Sequence, residues 1–143
     1  MKISSLLFLI LLPFAIITCA QSVKEVTKIE FTTVTRGYYK QIVMTKQSIT
    51  IQQEDRQSEN KQPLIRKMKK KEWSKLIQSL KEVPLSELPR LKSPSSNRAS
   101  DGARASSIAI TTSHGVTWTH DFDNENPHVK LQMLMKAITS LKE

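Results

Sequence analysis

The spacing of apolar residues changes along the chain, and each change marks a different kind of element. Apolar or small residues alternate with polar ones at Ile29, Phe31 and Thr33, and again over residues 38–44. Alternation with a period of two is typical of a β-strand with one buried face. Arg36-Gly37 lies between these segments and predicts a turn, because glycine accepts a positive φ without steric cost.

The following residues predict a third strand and then a helix. A short strand is predicted over 48–52, after a polar turn at Lys46-Gln47. Residues 54–62 contain no apolar side chain and predict an exposed loop. Helical spacing then produces an apolar stripe on a helix of about 69–82, which Pro84 ends. The stripe consists of Trp73, Leu76, Ile77 and Leu80.

The last forty residues repeat the order of strands and helix. A Pro- and Ser-rich connection, with three leucines to pack it, leads to a strand over 105–112 and a partner strand over 116–122. Asn126-Pro127 predicts the start of a closing helix, with asparagine as its N-cap. The apolar stripe of that helix is Leu131, Leu134, Met135, Ile138 and Leu141.

Together these elements predict an α+β fold, in which an antiparallel sheet of about five strands packs two helices on one face. The order is strands, helix, strands, helix. Of the 143 residues, 38% are hydrophobic and 24% are charged, which is typical of a globular protein. We expect residues 21–143 to form one domain.

The first twenty residues have the pattern of an export signal. Lys2 precedes an apolar run over 6–17, which is shorter than a membrane-spanning helix needs. The only cysteine of the chain, Cys19, lies where the signal ends. Either Cys19 is acylated and becomes the first residue of a lipoprotein, or cleavage falls after Ala20 and Cys19 is discarded. We therefore expect a membrane-anchored lipoprotein of the cell envelope or, with the second cleavage, a periplasmic or secreted protein.

Positive charge dominates the rest of the chain. The sequence holds 22 Lys and Arg residues against 13 Asp and Glu residues, a net charge of +9, and only Lys2 of these lies in the signal. The densest run is Arg66-Lys67-Met68-Lys69-Lys70-Lys71, which suits either a solvated helix start or an anionic surface such as lipid headgroups. Export and the lack of a basic motif interleaved with aromatic residues argue against nucleic acid as a partner.

Residues 93–127 combine a Pro-Ser stretch, an arginine, Asp-Gly-Ala, two predicted strands, Phe-Asp and a proline. The residues of this pattern are Pro94, Ser95, Arg98, Asp101, Gly102, Ala103, Phe122, Asp123 and Pro127. The segment resembles a family of short exported proteins of Bacteroidota that have no assigned activity. Asn124-Glu125 and His128 depart from the family pattern, where a His-Gly pair and a second proline are usual. The resemblance supports the fold class and the export, and it implies no chemistry.

Candidate chemistry is sparse. His120 and His128, with Asp121 and Asp123, supply ligand types that suit zinc, although His120 shares a strand face with Trp118 and Phe122. Neither a nucleophile elbow nor a phosphate-binding glycine loop occurs, so no enzyme activity and no cofactor are predicted. Arg98 is expected to pair with Asp121 or Asp123 and fix the loop at 93–104.

The sequence thus favours a non-enzymatic binding module over a domain that binds a metal or a small ligand near His120. Its partner would be a protein, a glycan or an anionic envelope surface. Binding specificity would lie in the loops at 54–62 and 93–104. Arg98, Asp101 and Asp123 are the candidate contact residues.

Overall fold

The sheet contains six antiparallel strands, one more than the sequence predicts. The computed structural model describes residues 23–56 and 62–141, so the signal, Cys19 and part of the predicted loop at 54–62 lie outside the described residues. The order across the sheet is β4-β3-β2-β1-β5-β6. The strands are β1 (Val26–Thr35), β2 (Tyr38–Thr45), β3 (Ser48–Asp55), β4 (Leu64–Lys67), β5 (Ala105–Thr112) and β6 (Thr117–Asp123).

The strand that the sequence does not predict is β4, at the edge of the sheet. It pairs only with β3, and its Leu64 and Ile65 are 41% and 68% exposed. Because β4 buries neither side chain, it lacks the alternation by which strands are recognised. The prediction for β3 is also too short, since its polar end continues to pair with β2 as far as Tyr38 opposite Asp55.

One face of the sheet carries the core, as the alternation predicts. A bulge in β1 between Val26 and Lys28 keeps Val26 and Ile29 buried together. The opposite face is partly exposed and mostly polar, and one row across five strands is Asp121, Ser107, Thr32, Gln41 and Gln52. The buried face holds Ile29, Phe31, Ile42, Met44, Ile49, Ile51, Ile108, Ile110 and Phe122.

Two α-helices, α1 (Lys70–Gln78) and α2 (Gln132–Thr139), contribute to the same core and contact each other. In α1, Leu76 is fully buried and Trp73 and Ile77 are partly buried. The predicted end at residue 82 is wrong, because the chain after Gln78 continues in tighter turns, with the Val83 N–H donating to Leu80 O at 3.0 Å. All five apolar residues predicted for the closing stripe are buried. Neither α1 nor α2 has the length and the apolar run needed to cross a bilayer.

The predicted N-cap of the closing helix is also wrong. A 3-10 turn (Val129–Leu131) precedes α2, and the Nδ1 atom of His128 accepts a hydrogen bond from the Lys130 N–H at 3.3 Å. The side-chain oxygen of Asn126 instead accepts from the Gln132 side chain at 2.9 Å. Histidine is an uncommon cap, so the sequence pattern favours the asparagine two residues earlier.

The strands end at two opposite edges of the sheet, which we call the proximal end and the distal end. At the proximal end lie the start of β1, the β2–β3 turn at Lys46-Gln47, the end of β4 and the β5–β6 turn. At the distal end lie the β1–β2 turn, the end of β3, the start of β5 and the end of β6. The predicted turn at Arg36-Gly37 is confirmed, and Gly37 has a φ of 80°.

Candidate functional site

The residues singled out by sequence converge on the distal end of β6. Between Leu91 and β5 the chain contains a 3-10 turn, Asn97–Ser100, and lies against the end of β6. Asp101 ends that turn in the left-handed conformation, with a φ of 56°. The Gly102 N–H then donates to Asn97 O at 3.0 Å and closes the loop. The predicted turn at Asp101-Gly102 is therefore present.

Asp123 is the centre of this region. Its side chain is 2% exposed and accepts hydrogen bonds from two other side chains, Ser95 Oγ at 2.6 Å and Arg98 Nη1 at 2.7 Å. It also accepts the backbone N–H groups of Asn97 at 2.6 Å and Arg98 at 3.4 Å. We call Asp123, Ser95, Asn97 and Arg98 the Asp123 clamp. The clamp fixes the loop at 93–104 to the sheet.

The carboxylate of Asp123 also caps the 3-10 turn from outside. The first N–H groups of a helical turn have no acceptor within the turn. The N-cap residue of this turn is Ser96, and its side chain accepts no hydrogen bond from them. The carboxylate lies at the start of the turn at Asn97, because the hairpin directs the end of β6 toward the loop.

The clamp changes the acidity of Asp123. Burial alone would raise the pKa of its carboxyl, but the hydrogen bonds from the Ser95 and Arg98 side chains and from the Asn97 and Arg98 backbone outweigh burial. Together they lower the pKa from 3.8 to about 2. The carboxyl therefore stays ionised across the neutral range, as an acceptor rather than a proton donor.

The lowered pKa of Asp123 predicts a loss of stability in acid. The ionised carboxylate stabilises the fold above its unfolded pKa, near 4, and we expect that contribution to disappear as the pH falls from about 4 to about 2. Thermal unfolding followed from pH 6 to pH 2 tests this. Asp123→Asn should have a lower Tm at pH 6 and a smaller further loss in acid. The exposed Asp121→Asn serves as the control, and an acid profile for Asp123→Asn that parallels wild type would contradict the prediction.

Arg98 contacts Asp123 and not Asp121. Its Nη1 atom also donates to Ser95 O at 3.1 Å and to Ser93 Oγ at 3.3 Å. The side chain is 28% exposed, and within the described residues its Nε and Nη2 atoms make no hydrogen bond. Part of the guanidinium thus holds the loop, and part of it faces a surface depression.

That depression, of about 260 Å³, lies on the partly exposed face of the sheet. Arg98 borders it together with Thr32, Ser107 and the exposed Asp121. The lining thus combines a cation, a carboxylate and two hydroxyls with the apolar side chains of Val34 and Ala105. Such groups can bind polar ligands or peptide groups by hydrogen bonds.

Asp101 belongs to a separate contact. Its carboxylate lies 3.1 Å from Arg36 Nη2, and the two side chains are 73% and 86% exposed. Solvent and salt screen such a pair, so it contributes little to stability. Asp101 is on the surface of the distal end, whereas Asp123 is inside the clamp.

His120 and His128 are close together, and one ring nitrogen of each accepts a backbone hydrogen bond within the fold. His120 is 2% exposed, stacks on Phe122 and accepts the His128 N–H on Nε2 at 3.2 Å. Burial, with the neighbouring His128 and Arg98, lowers its pKa, although Asp121 and a backbone hydrogen bond with Leu91 act in the opposite direction. His128 caps the turn before α2. Among residues 23–56 and 62–141, no three metal-ligating side chains group together.

Sequence reasoning missed the contribution of Ser95 and of the Asn97 N–H to the clamp. The Pro-Ser stretch indicated a loop and Ser95 matched the family pattern, but neither signal gave Ser95 a contact, and a backbone N–H carries no residue signature. We compared the chain with protein-family models, curated proteins and solved structures, and none of the three comparisons gives a match.

Proposed function

We propose that this protein is an exported, lipid-anchored domain of the cell envelope that works as a non-enzymatic binding module. The observation that carries the proposal is that the side chains best suited to catalysis or metal binding already have hydrogen-bond partners within the fold. The carboxylate of Asp123 and the Nε2 atom of His120 are engaged within the fold. His120 also has a backbone hydrogen bond with Leu91. A general acid, a general base or a metal ligand needs these atoms to be available.

The distal end supplies the surface for binding. The depression beside Arg98, the exposed Asp101 and the loop at 93–104 all lie there. Loops held on a rigid scaffold are typical recognition surfaces, and the Asp123 clamp supplies the rigidity. A protein or a glycan of the envelope is the partner that suits these polar groups.

Two observations support the proposed anchor: the position of Cys19 and the end of the sheet at which the fold begins. The export signal ends at Cys19, and the described fold starts at Val23, at the proximal end of the sheet. A lipid there would place the distal end away from the membrane, toward its partner. One acyl chain binds only marginally, so stable anchoring needs a second chain or a basic surface.

Cys19→Ser tests the anchor in the native host. We expect wild type to stay in the membrane fraction after a high-salt wash and to be labelled by a fatty-acid precursor, and we expect Cys19→Ser to lose the label and to leave that fraction. Thr18→Ser, which keeps the cysteine, is the control and should behave as wild type. A soluble, unlabelled wild-type protein would overturn the lipid anchor.

A further inference from the structure

The proximal end of the domain concentrates lysines that have no partner in the fold. Lys46 lies in the β2–β3 turn, Lys67 ends β4, and Lys70 and Lys71 begin α1. All four are exposed, and within the described residues their side chains make no hydrogen bond or ion pair. Such a cluster attracts anions because no neighbouring carboxylate neutralises it.

These lysines are presented by ordered backbone. The Met68 N–H donates to Gln47 O at 2.9 Å, which ties the basic segment to the β2–β3 turn. Arg66 donates two hydrogen bonds, of 3.0 and 3.1 Å, to the carboxylate of Glu72. These bonds lower the pKa of that carboxyl. The arginine of the run and the nearest acid of α1 are thereby engaged with each other. The lysines beside them remain as the unpaired charge.

The distal end provides the contrast. Its Arg36 pairs with Asp101, and Arg104 lies over the ring of Tyr38 at 4.6 Å. Glu54 and Asp55 add exposed carboxylates at the same end. Arg36 and Arg104 are thus engaged at the distal end, whereas the four proximal lysines have no such contact among the described residues.

The chain enters the fold at that same end. Glu25 O accepts the Ser113 N–H at 2.8 Å, which places the start of β1 beside the β5–β6 turn. The chain from Cys19 to Val23 can span at most about 14 Å. That reach is close to the Debye length, about 10 Å at 0.1 M salt. A lipid on Cys19 would hold the lysines within the field of the headgroups.

We propose that the proximal end of the domain lies on an anionic lipid surface, with Lys46, Lys67, Lys70 and Lys71 facing the headgroup phosphates. The proposal rests on the anchor proposed at Cys19, and the lysines would add electrostatic attraction to the hydrophobic binding of the acyl chains. Each lysine near such a surface adds enough attraction to change binding several-fold.

Vesicle binding tests the proposal without the lipid. The probe is the chain from residue 19 onward carrying Cys19→Ser, which keeps every described residue, with vesicles of phosphatidylcholine alone or with one-third phosphatidylglycerol. We expect binding only to the anionic vesicles, weakening as salt rises. Lys70→Glu with Lys71→Glu should reduce it about tenfold or more. Acidic residues suit the first turn of a helix, so this variant should keep the fold.

A charge-matched variant separates the proximal end from net charge. Lys81→Glu with Lys92→Glu reverses two exposed lysines outside the proximal end, and we expect it to bind as the unsubstituted probe does. An equal loss of vesicle binding in both variants would overturn the proposal, and so would equal binding to vesicles with and without phosphatidylglycerol. The anchor and the lipid-facing surface can also fail separately. If this probe binds anionic vesicles but wild type in the native host carries no fatty-acid label, the anchor is refuted and the lipid-facing surface is supported.

Discussion

Leu134→Ala is expected to destabilise the domain by about 2–5 kcal/mol, the largest effect of any substitution considered for this protein. Leu134 is fully buried in α2, among the side chains that join the helices to the sheet. Replacing its isobutyl side chain with a methyl group loses apolar contact and leaves a cavity that the surrounding structure closes only in part. Chemical denaturation followed by circular dichroism measures the loss.

The neighbouring residue provides the control. Met133 lies in the same helix and is 64% exposed, so Met133→Ala should change the free energy of unfolding by less than about 0.5 kcal/mol. A loss below that value for Leu134→Ala, or equal losses for the two variants, would mean that α2 does not cover the sheet.

The second large effect is expected at the Asp123 clamp. Asp123→Ala should lower Tm by about 5–10 °C, because it leaves the buried donors at Ser95, Asn97 and Arg98 without their acceptor. Arg98→Ala should cost less, since the carboxylate keeps its other hydrogen bonds. The double variant should lose less than the sum of the two single losses, because both remove the same contact.

The exposed pair Arg36–Asp101 is the matched control for the clamp. The two pairs join the same residue types at 3.1 and 2.7 Å, but only Asp123 is buried. Arg36→Ala with Asp101→Asn, which keeps a residue that tolerates the left-handed conformation at position 101, should leave Tm within about a degree of wild type. Additive losses at Arg98 and Asp123 would refute the clamp. Unchanged Tm with weaker capture of the native partner by Arg98→Ala would show that Arg98 serves a ligand.

The parts of the fold that the sequence predicted are those with strong periodicity. Ile29 and Phe31 alternate on one face, and Leu134, Met135 and Ile138 repeat at helical spacing, so burial follows from the pattern alone. The sequence did not predict strand β4, because its Leu64 and Ile65 lie at the edge of the sheet and are not buried. Backbone pairing with β3 stabilises it, and backbone groups are the same in every residue.

The site was harder to predict for a related reason. The pairing of Arg98 with an acid could be inferred from an arginine in a Pro-Ser loop near the end of a strand. The choice of Asp123 over Asp121 depends on which face of the strand end turns inward, which alternation does not determine where the strand stops. His128 as a cap, and Asp123 as the cap of a distant turn, are tertiary contacts with no local signature.

The identity of the mature N-terminus is the most direct test of the proposed anchored module. The protein should be isolated from membranes of its native host and the mass of its N-terminal peptide determined. We expect a peptide that begins at Cys19 and carries the added mass of acyl chains. An unmodified peptide that begins at Gln21 would contradict the lipid anchor and the orientation that follows from it.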